Sequence, residues 1–255
     1  MTSNSNGKVR PKFEEAEWTY TQSPQPTWQP GSGASKSEFR EHKKRVVDPY
    51  ADGRNLIDNY KLLTSAITPR PIALVSSLGQ NHQENLAPFS YFSLLNHEPP
   101  IFSLGISSNQ QNLKDTCKNL HETRECTINL ISEWFIEAAN HSSINAPYGI
   151  SEWELTGLTP LKSKKVKPKH VAESAFSVEG KVIHIHEWRS PNNQQHTTGY
   201  TFIIEGIMFH AREDIINEDL NQVDINKLKP ISRLGGSVYA RTTEGFEIPR
   251  PIYEH

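Results

Sequence analysis

Two long stretches in the second half of the chain constrain its fold most. Residues 175–188 alternate in character, with Phe176, Val178, Gly180 and Val182 on one side before the pattern passes to His184 and His186. Residues 200–210 are the second stretch and its expected neighbour. A period of two over such lengths is that of extended strands. Ser190-Pro191-Asn192-Asn193 supplies a turn between them, so the two are expected to pair antiparallel.

Further strands follow from the same reasoning. Residues 71–77 are a continuous apolar run stopped by Leu78-Gly79-Gln80-Asn81, the pattern of a buried strand and a turn. Residues 101–107, after Glu98-Pro99-Pro100, read as another strand. Cys126, Ile128 and Leu130 alternate with Thr127 and Asn129 in a half-buried strand over 126–131. Two short helices are expected, one over 111–120 with Asn109 as N-cap and one over 134–142. Many strands with few helices point to a mainly β barrel or sandwich. That domain is placed at residues 46–255. Residues 1–45 read as an extended polar arm broken by Ser23-Pro24-Gln25-Pro26 and Gln29-Pro30-Gly31, and anchored by Phe13, Trp18, Tyr20 and Trp28.

Composition narrows the function. Hydrophobic residues make up 35% of the chain, a low share that the polar arm partly accounts for. The net charge is −2, with basic and acidic residues interspersed, so no nucleic-acid partner is expected. The basic run from Lys162 to His170 reads as a solvated loop. Cys117 and Cys126 are too few for a disulfide framework. Met1 to Gly7 lack the apolar segment of a secretory signal, and no apolar run is long enough for a bilayer. A cytoplasmic location without membrane attachment is therefore expected.

Motifs of common chemistries are missing. No Gly-x-Gly-x-x-Gly follows a strand, and no P-loop or Gly-x-Ser-x-Gly elbow is present. His184 and His186 share a strand face but have no third ligand nearby, so no metal site is expected. Two segments stand out instead. In Asn85-Leu86-Ala87-Pro88-Phe89-Ser90-Tyr91-Phe92 a polar turn follows the apolar strand, where amides and Ser90 could bond the edge of a flat ring. The alternative is a plain bend whose aromatics enter the core. Residues 107–116 join a strand end to a helix start, where Ser107, Ser108 and Lys114 could complete an anion site or simply cap the helix.

These segments also carry a family resemblance. Thr68-Pro69-Arg70-Pro71-Ile72-Ala73-Leu74-Val75-Ser76, the segment 85–92, Lys114-Asp115-Thr116 with Asn119, and Ile231-Ser232-Arg233-Leu234-Gly235-Gly236-Ser237-Val238-Tyr239-Ala240 follow one another as in the flavin reductase-like family, the flavoredoxin relatives. The likeness runs from about residue 48 to 241. It implies a six-stranded antiparallel Greek-key split barrel that forms a homodimer and binds FMN, with FAD as the alternative. By resemblance, Arg70 and Pro71 flank the flavin ring, and Asn85, Leu86, Ala87, Pro88 and Ser90 line its edge. Ser107, Lys114 and Thr116 resemble the phosphate ligands, and Arg233, Gly235 and Tyr239 resemble contributors from the C-terminal segment.

The implied activity is hydride transfer from NAD(P)H to flavin and on to an acceptor, such as an oxygenase partner. The alternative is an FMN-binding electron carrier or flavin store with little turnover. A flavin carries the redox chemistry itself, so no catalytic acid or base is nominated.

Overall fold

The computed structural model describes residues 10–147 and 149–253; the segment Met1 to Gly7, read above as lacking a secretory signal, lies outside them. The described residues of 48–242 form one compact unit, and residues 10–47 with 243–253 form another. In the second of these, Thr19–Tyr20 pairs in parallel with Glu244–Gly245. The indole of Trp18 lies where a Cβ on Gly245 would sit, so only glycine fits there.

The larger unit is built on a seven-stranded sheet. Its strands are β1 (Ala73–Leu78), β2 (Glu84–Phe89), β3 (Phe92–His97), β4 (Pro100–Ile106), β5 (Glu125–Leu130), β6 (Phe176–Ser190) and β7 (Asn193–Ala211). The order across the sheet is β2-β1-β5-β6-β7-β4-β3, with every pair antiparallel. The two outer strands, β2 and β3, are consecutive in the chain and joined by Ser90 and Tyr91. The sheet thus curls until its edges adjoin at that seam, giving a split barrel. It has one strand more than the six expected.

Each long element has a local cause. β6 and β7 pair from Phe176↔Ala211 to Ser190↔Asn193, with bulges that bend the ribbon round the barrel. The apolar run in β1 reflects burial on both faces. Ala73 and Val75 enter the barrel with Leu104, Ile128, Val178 and Phe202. Ile72 and Leu74 point outward into a second cluster with Leu86, Phe135, Trp153 and Val171. Full burial of such a side chain contributes about 1.5–3 kcal/mol.

Three helices cover the barrel, namely α2 (Asp115–Thr123), α3 (Ile136–His141) and α4 (Glu152–Thr156). Cys117 and Leu120 of α2 complete the barrel core. A further helix, α1 (Leu56–Ala66), precedes β1; Asn55 caps it by accepting the Ile57 N–H at 3.0 Å.

Three local expectations need correction. Residues 85–92 are not a turn: they form most of β2, the two-residue seam and the first residue of β3. Asn85 pairs with Ser77 and Pro88 with Leu74, and β2 is an outer strand, where a proline's missing N–H is tolerated. The helix expected over 111–120 begins only at Asp115. The Asn109 carboxamide accepts the Asn112 N–H at 2.7 Å, which closes a local turn and delays the helix. The helix expected over 134–142 divides into a 3-10 turn at Glu133–Phe135 and α3.

Gly180 shows how tightly the bulged ribbon meets the core. A Cβ there would lie 2.5 Å from the Ile204 side chain. Gly180→Ala is expected to lower stability by about 1–3 kcal/mol through overpacking, measurable as a lower denaturant midpoint with unchanged m-value.

Candidate functional site

Two cavities adjoin on the barrel surface and share Ser107. The first has a volume of about 590 Å³ and lies between the start of α2, strand β2 and the segment before α4. Asn85, Ala87, Pro88, Ser107, Lys114 and Thr116 all line it. The second, of about 680 Å³, lies over β4 and β7 beside the seam, and Arg70, Pro71, Ser90 and Ser107 line it. Nine of the residues singled out from the sequence are thus brought to one groove, whereas Leu86 turns away. Its side chain is fully buried in the outer cluster. Arg233, Gly235 and Tyr239 line neither cavity. The Arg233 guanidinium lies 4.3 Å from the Tyr239 ring centre, and the Tyr239 hydroxyl donates to Asn140 at 2.7 Å.

The first cavity suits an anion. Lys114 is exposed, lines the cavity and is the N-cap of α2, with no side-chain cap on the helix. The Lys114 N–H donates to Ser108 Oγ at 2.9 Å. The first-turn N–H groups of a helix carry partial positive charge. Beneath them, Asn85 donates to the buried Thr116 Oγ1 at 2.7 Å, and Asn119 donates to Ser77 at 3.1 Å. This network fixes α2 against β1 and β2.

Two acids that the sequence did not single out share the cavity. Asp115 and Glu152 both line it. Glu152 is only 5% exposed, and its carboxylate accepts the Leu86 N–H at 3.0 Å. Burial raises the pKa of both; Lys118 partly offsets this at Asp115 and the Leu86 N–H at Glu152. Burial also pushes the Cys117 thiol up to about 12, so it stays protonated and unreactive. Asp115 lies inside a motif that was noticed, but Glu152 is remote in sequence and only the packing of α4 on β2 brings it here.

The second cavity is flatter and more aromatic, with Tyr91, Phe92, Trp188 and Tyr200 among its lining residues. Two glycines in its lining allow the chain to pack tightly against itself. A Cβ on Gly105 would meet Tyr91 Cβ at 2.9 Å, and one on Gly199 would meet the Ile106 carbonyl at 2.8 Å. Trp188 is fixed by its indole N–H, which donates to Thr201 at 2.8 Å. Arg70 is buried, and its guanidinium donates to the carbonyls of Thr64 and Ile67 at 2.6 Å each and of Leu234 at 3.0 Å. Carbonyl partners leave its positive charge uncompensated, so it imposes a positive field on this end of the groove.

His184 and His186 are exposed on β6. Among the described residues no group of three or more His, Cys, Asp or Glu is placed to hold a metal ion, and no helix is long and apolar enough to cross a membrane.

Known proteins share this architecture. Residues 65–221 match the family described as flavin reductase like domain. The chain is similar to nitrilotriacetate monooxygenase component B of Bacillus cereus, with 30% identity over 81% of this chain and 100% of that one, at a TM-score of 0.75. It is similar to 2-nitrobenzoate 2-nitroreductase NbaA of Pseudomonas fluorescens, with 26% identity, 83% and 98% coverage and a TM-score of 0.71. A flavin reductase-type protein of Shewanella frigidimarina with a split barrel domain shares the fold, at 19% identity, 83% and 100% coverage and a TM-score of 0.65.

Proposed function

Because the chain belongs to the flavin reductase-like family, we propose that it is an FMN-binding oxidoreductase that takes hydride from NAD(P)H and passes reducing equivalents to an acceptor. The observation that carries this reading is the paired groove, in which an aromatic cavity adjoins a cation-bearing helix start at Ser107. A flavin mononucleotide has the matching halves, a flat ring and a phosphate tail.

The donor set fits each half. Lys114, Ser107 and the first turn of α2 would hold the phosphate. Pro71, Ser90 and the β2 residues Ala87 and Pro88 would border the ring, and Tyr91 and Trp188 would wall it. When bound, the flavin supplies hydride acceptance and electron transfer. The chain supplies orientation, exclusion of water and electrostatics. Arg70, held by three carbonyls, presents a fixed positive charge that favours an anionic ring edge without reorganising.

Nitrilotriacetate monooxygenase component B, at 30% identity, is named as one part of an oxygenase system. An oxygenase partner as the acceptor is therefore part of the proposal. So is a homodimer. Leu56 and Leu63 of α1, Ile67 just after it, and Leu94 and Leu95 on the outer strand β3, are large apolar side chains more than half exposed. A second copy would cover them.

The test is a titration of the purified protein with FMN, followed by assays of NADH and NADPH oxidation. Saturable quenching of flavin fluorescence and oxidation above that of free FMN are expected. Absence of both overturns the proposal.

A further inference from the structure

The anion-binding end of the groove contains more negative than positive side chains. Lys114 is the cation lining the first cavity, and Asp115 and Glu152 line it as well. Glu152 is nine-tenths buried or more, and its carboxylate is fixed by the Leu86 N–H of β2 at 3.0 Å. Rotation into solvent would forfeit that bond, so the acid is held at the cavity wall. Asp115 is the first residue of α2, next to the N–H groups that would meet a phosphate.

We propose, resting on the phosphate assignment made above, that Glu152 and Asp115 set the retention of the phosphate tail by their protonation, releasing it as carboxylates and holding it as carboxylic acids. A carboxylate beside a phosphate is a like-charge pair in a partly buried site. A carboxylic acid there is a hydrogen-bond donor to a phosphate oxygen. Binding of the phosphate ester then takes up a proton from solvent, which stays on the carboxyl group. The flavin is retained while these groups carry their protons and becomes exchangeable as pH rises through their titration.

The surroundings leave this pair in control. On α2, Lys114 and Lys118 flank Asp115, and Lys118 acts on it; His121 and Glu122, further along the helix, do not line the cavity. Asp115 itself acts on Glu152 from across the cavity. Glu84 of β2 is paired with Lys169 at 2.6 Å, and Glu125 of β5 accepts the Lys167 N–H at 3.0 Å. Glu137 and His141 of α3 and Glu154 of α4 do not line the cavity. Burial moves the titration of both acids upward from the ordinary carboxylate range.

The ligand's own chemistry makes the sign diagnostic. A phosphate monoester gains its second charge near about pH 6, so attraction to Lys114 alone would tighten FMN binding as pH rises. The proposal expects the reverse. Dissociation constants of FMN and riboflavin are to be measured on the full chain from pH 4.5, the ordinary value of a glutamate, to about pH 8. FMN is expected to weaken by about tenfold across that range, the equivalent of one pKa unit of coupling, while riboflavin stays constant. Glu152→Gln, which keeps an acceptor for the Leu86 N–H, and Asp115→Asn are each expected to tighten FMN at the upper pH and flatten its profile. An FMN-to-riboflavin ratio that is flat or rises with pH in the unaltered protein overturns this inference while leaving flavin binding intact. So do variants that keep the original profile. If neither flavin binds at any pH, this inference and the flavin reading fall together.

Discussion

Glu179→Ala is expected to lower the unfolding free energy by about 3–5 kcal/mol, because it removes the acceptor for several buried donors at once. Glu179 of β6 is fully buried. Its carboxylate accepts the N–H groups of Lys164 at 2.6 Å, Lys165 at 2.5 Å and Val166 at 3.0 Å, and meets His210 Nε2 at 2.6 Å. The basic run that reads in the sequence as a solvated loop is thus pinned to the barrel, with three consecutive N–H groups held by this acid. His170, at the end of that run, stacks on His210 with ring centres 4.2 Å apart. Urea unfolding of the variant checks the magnitude. A loss below about 1 kcal/mol, the worth of one ordinary hydrogen bond, would show that water replaces the carboxylate.

The same acid predicts a pH dependence. Burial by itself would raise the Glu179 pKa, but the backbone donors and His210 outweigh it and hold the group below its ordinary value of 4.5. A depressed folded-state pKa means that the unfolded chain binds the proton more readily, so stability rises with pH through this region. Its contribution is complete above the ordinary value and is lost as pH falls through the folded one. His170 acts in the same direction, since burial and then the neighbouring His210 lower its pKa and favour its neutral form in the fold. In Glu179→Ala the loss of stability on acidification from pH 4.5 should be shallower than in the unaltered protein.

The second large effect concerns ligand binding. Lys114→Ala is expected to weaken FMN by about 1.5–3 kcal/mol, or about ten- to hundredfold, the worth of a hydrogen bond to a charged group. Riboflavin, which has no phosphate, should bind the variant as it binds the original chain. Equal weakening of both ligands would mean that Lys114 supports the fold of the site rather than an anion. Lys114 is exposed and caps α2 through its backbone, so truncation of its side chain leaves the local structure in place.

Much of this arrangement is legible in the residues. The double burial of Leu74 and Val75 is visible as an unbroken apolar run, and the alternation from Phe176 onward is that of a sheet ribbon. Lys114, Thr116, Asn85 and Ser107 meet in one cavity because two of the segments singled out converge there. Other features have no local signature. Asn109 looks like a helix cap, yet its side chain is occupied by a turn of its own. Residues 85–92 look like a turn because Asn, Pro and Ser are turn formers, but pairing with β1 overrides that preference. Helix α1 carries Leu56, Ile57, Tyr60, Leu62 and Leu63, all exposed, and buries only Thr64; it has no single apolar stripe to read. Glu152 and Trp188 reach the groove through tertiary packing over long separations, which spacing cannot reveal.

The seam at Ser90 and Tyr91 has a dynamic consequence. The outermost strands of the sheet are tethered end to end by two residues, and the Tyr91 carbonyl is clamped by the Gly105 N–H at 2.7 Å. Fraying at one margin therefore pulls on the other, so the amides of both margins should exchange with deuterium as a single cooperative block. Because the groove opens beside this junction, an occupant would slow the exchange of both margins together, although it would touch only one end of each.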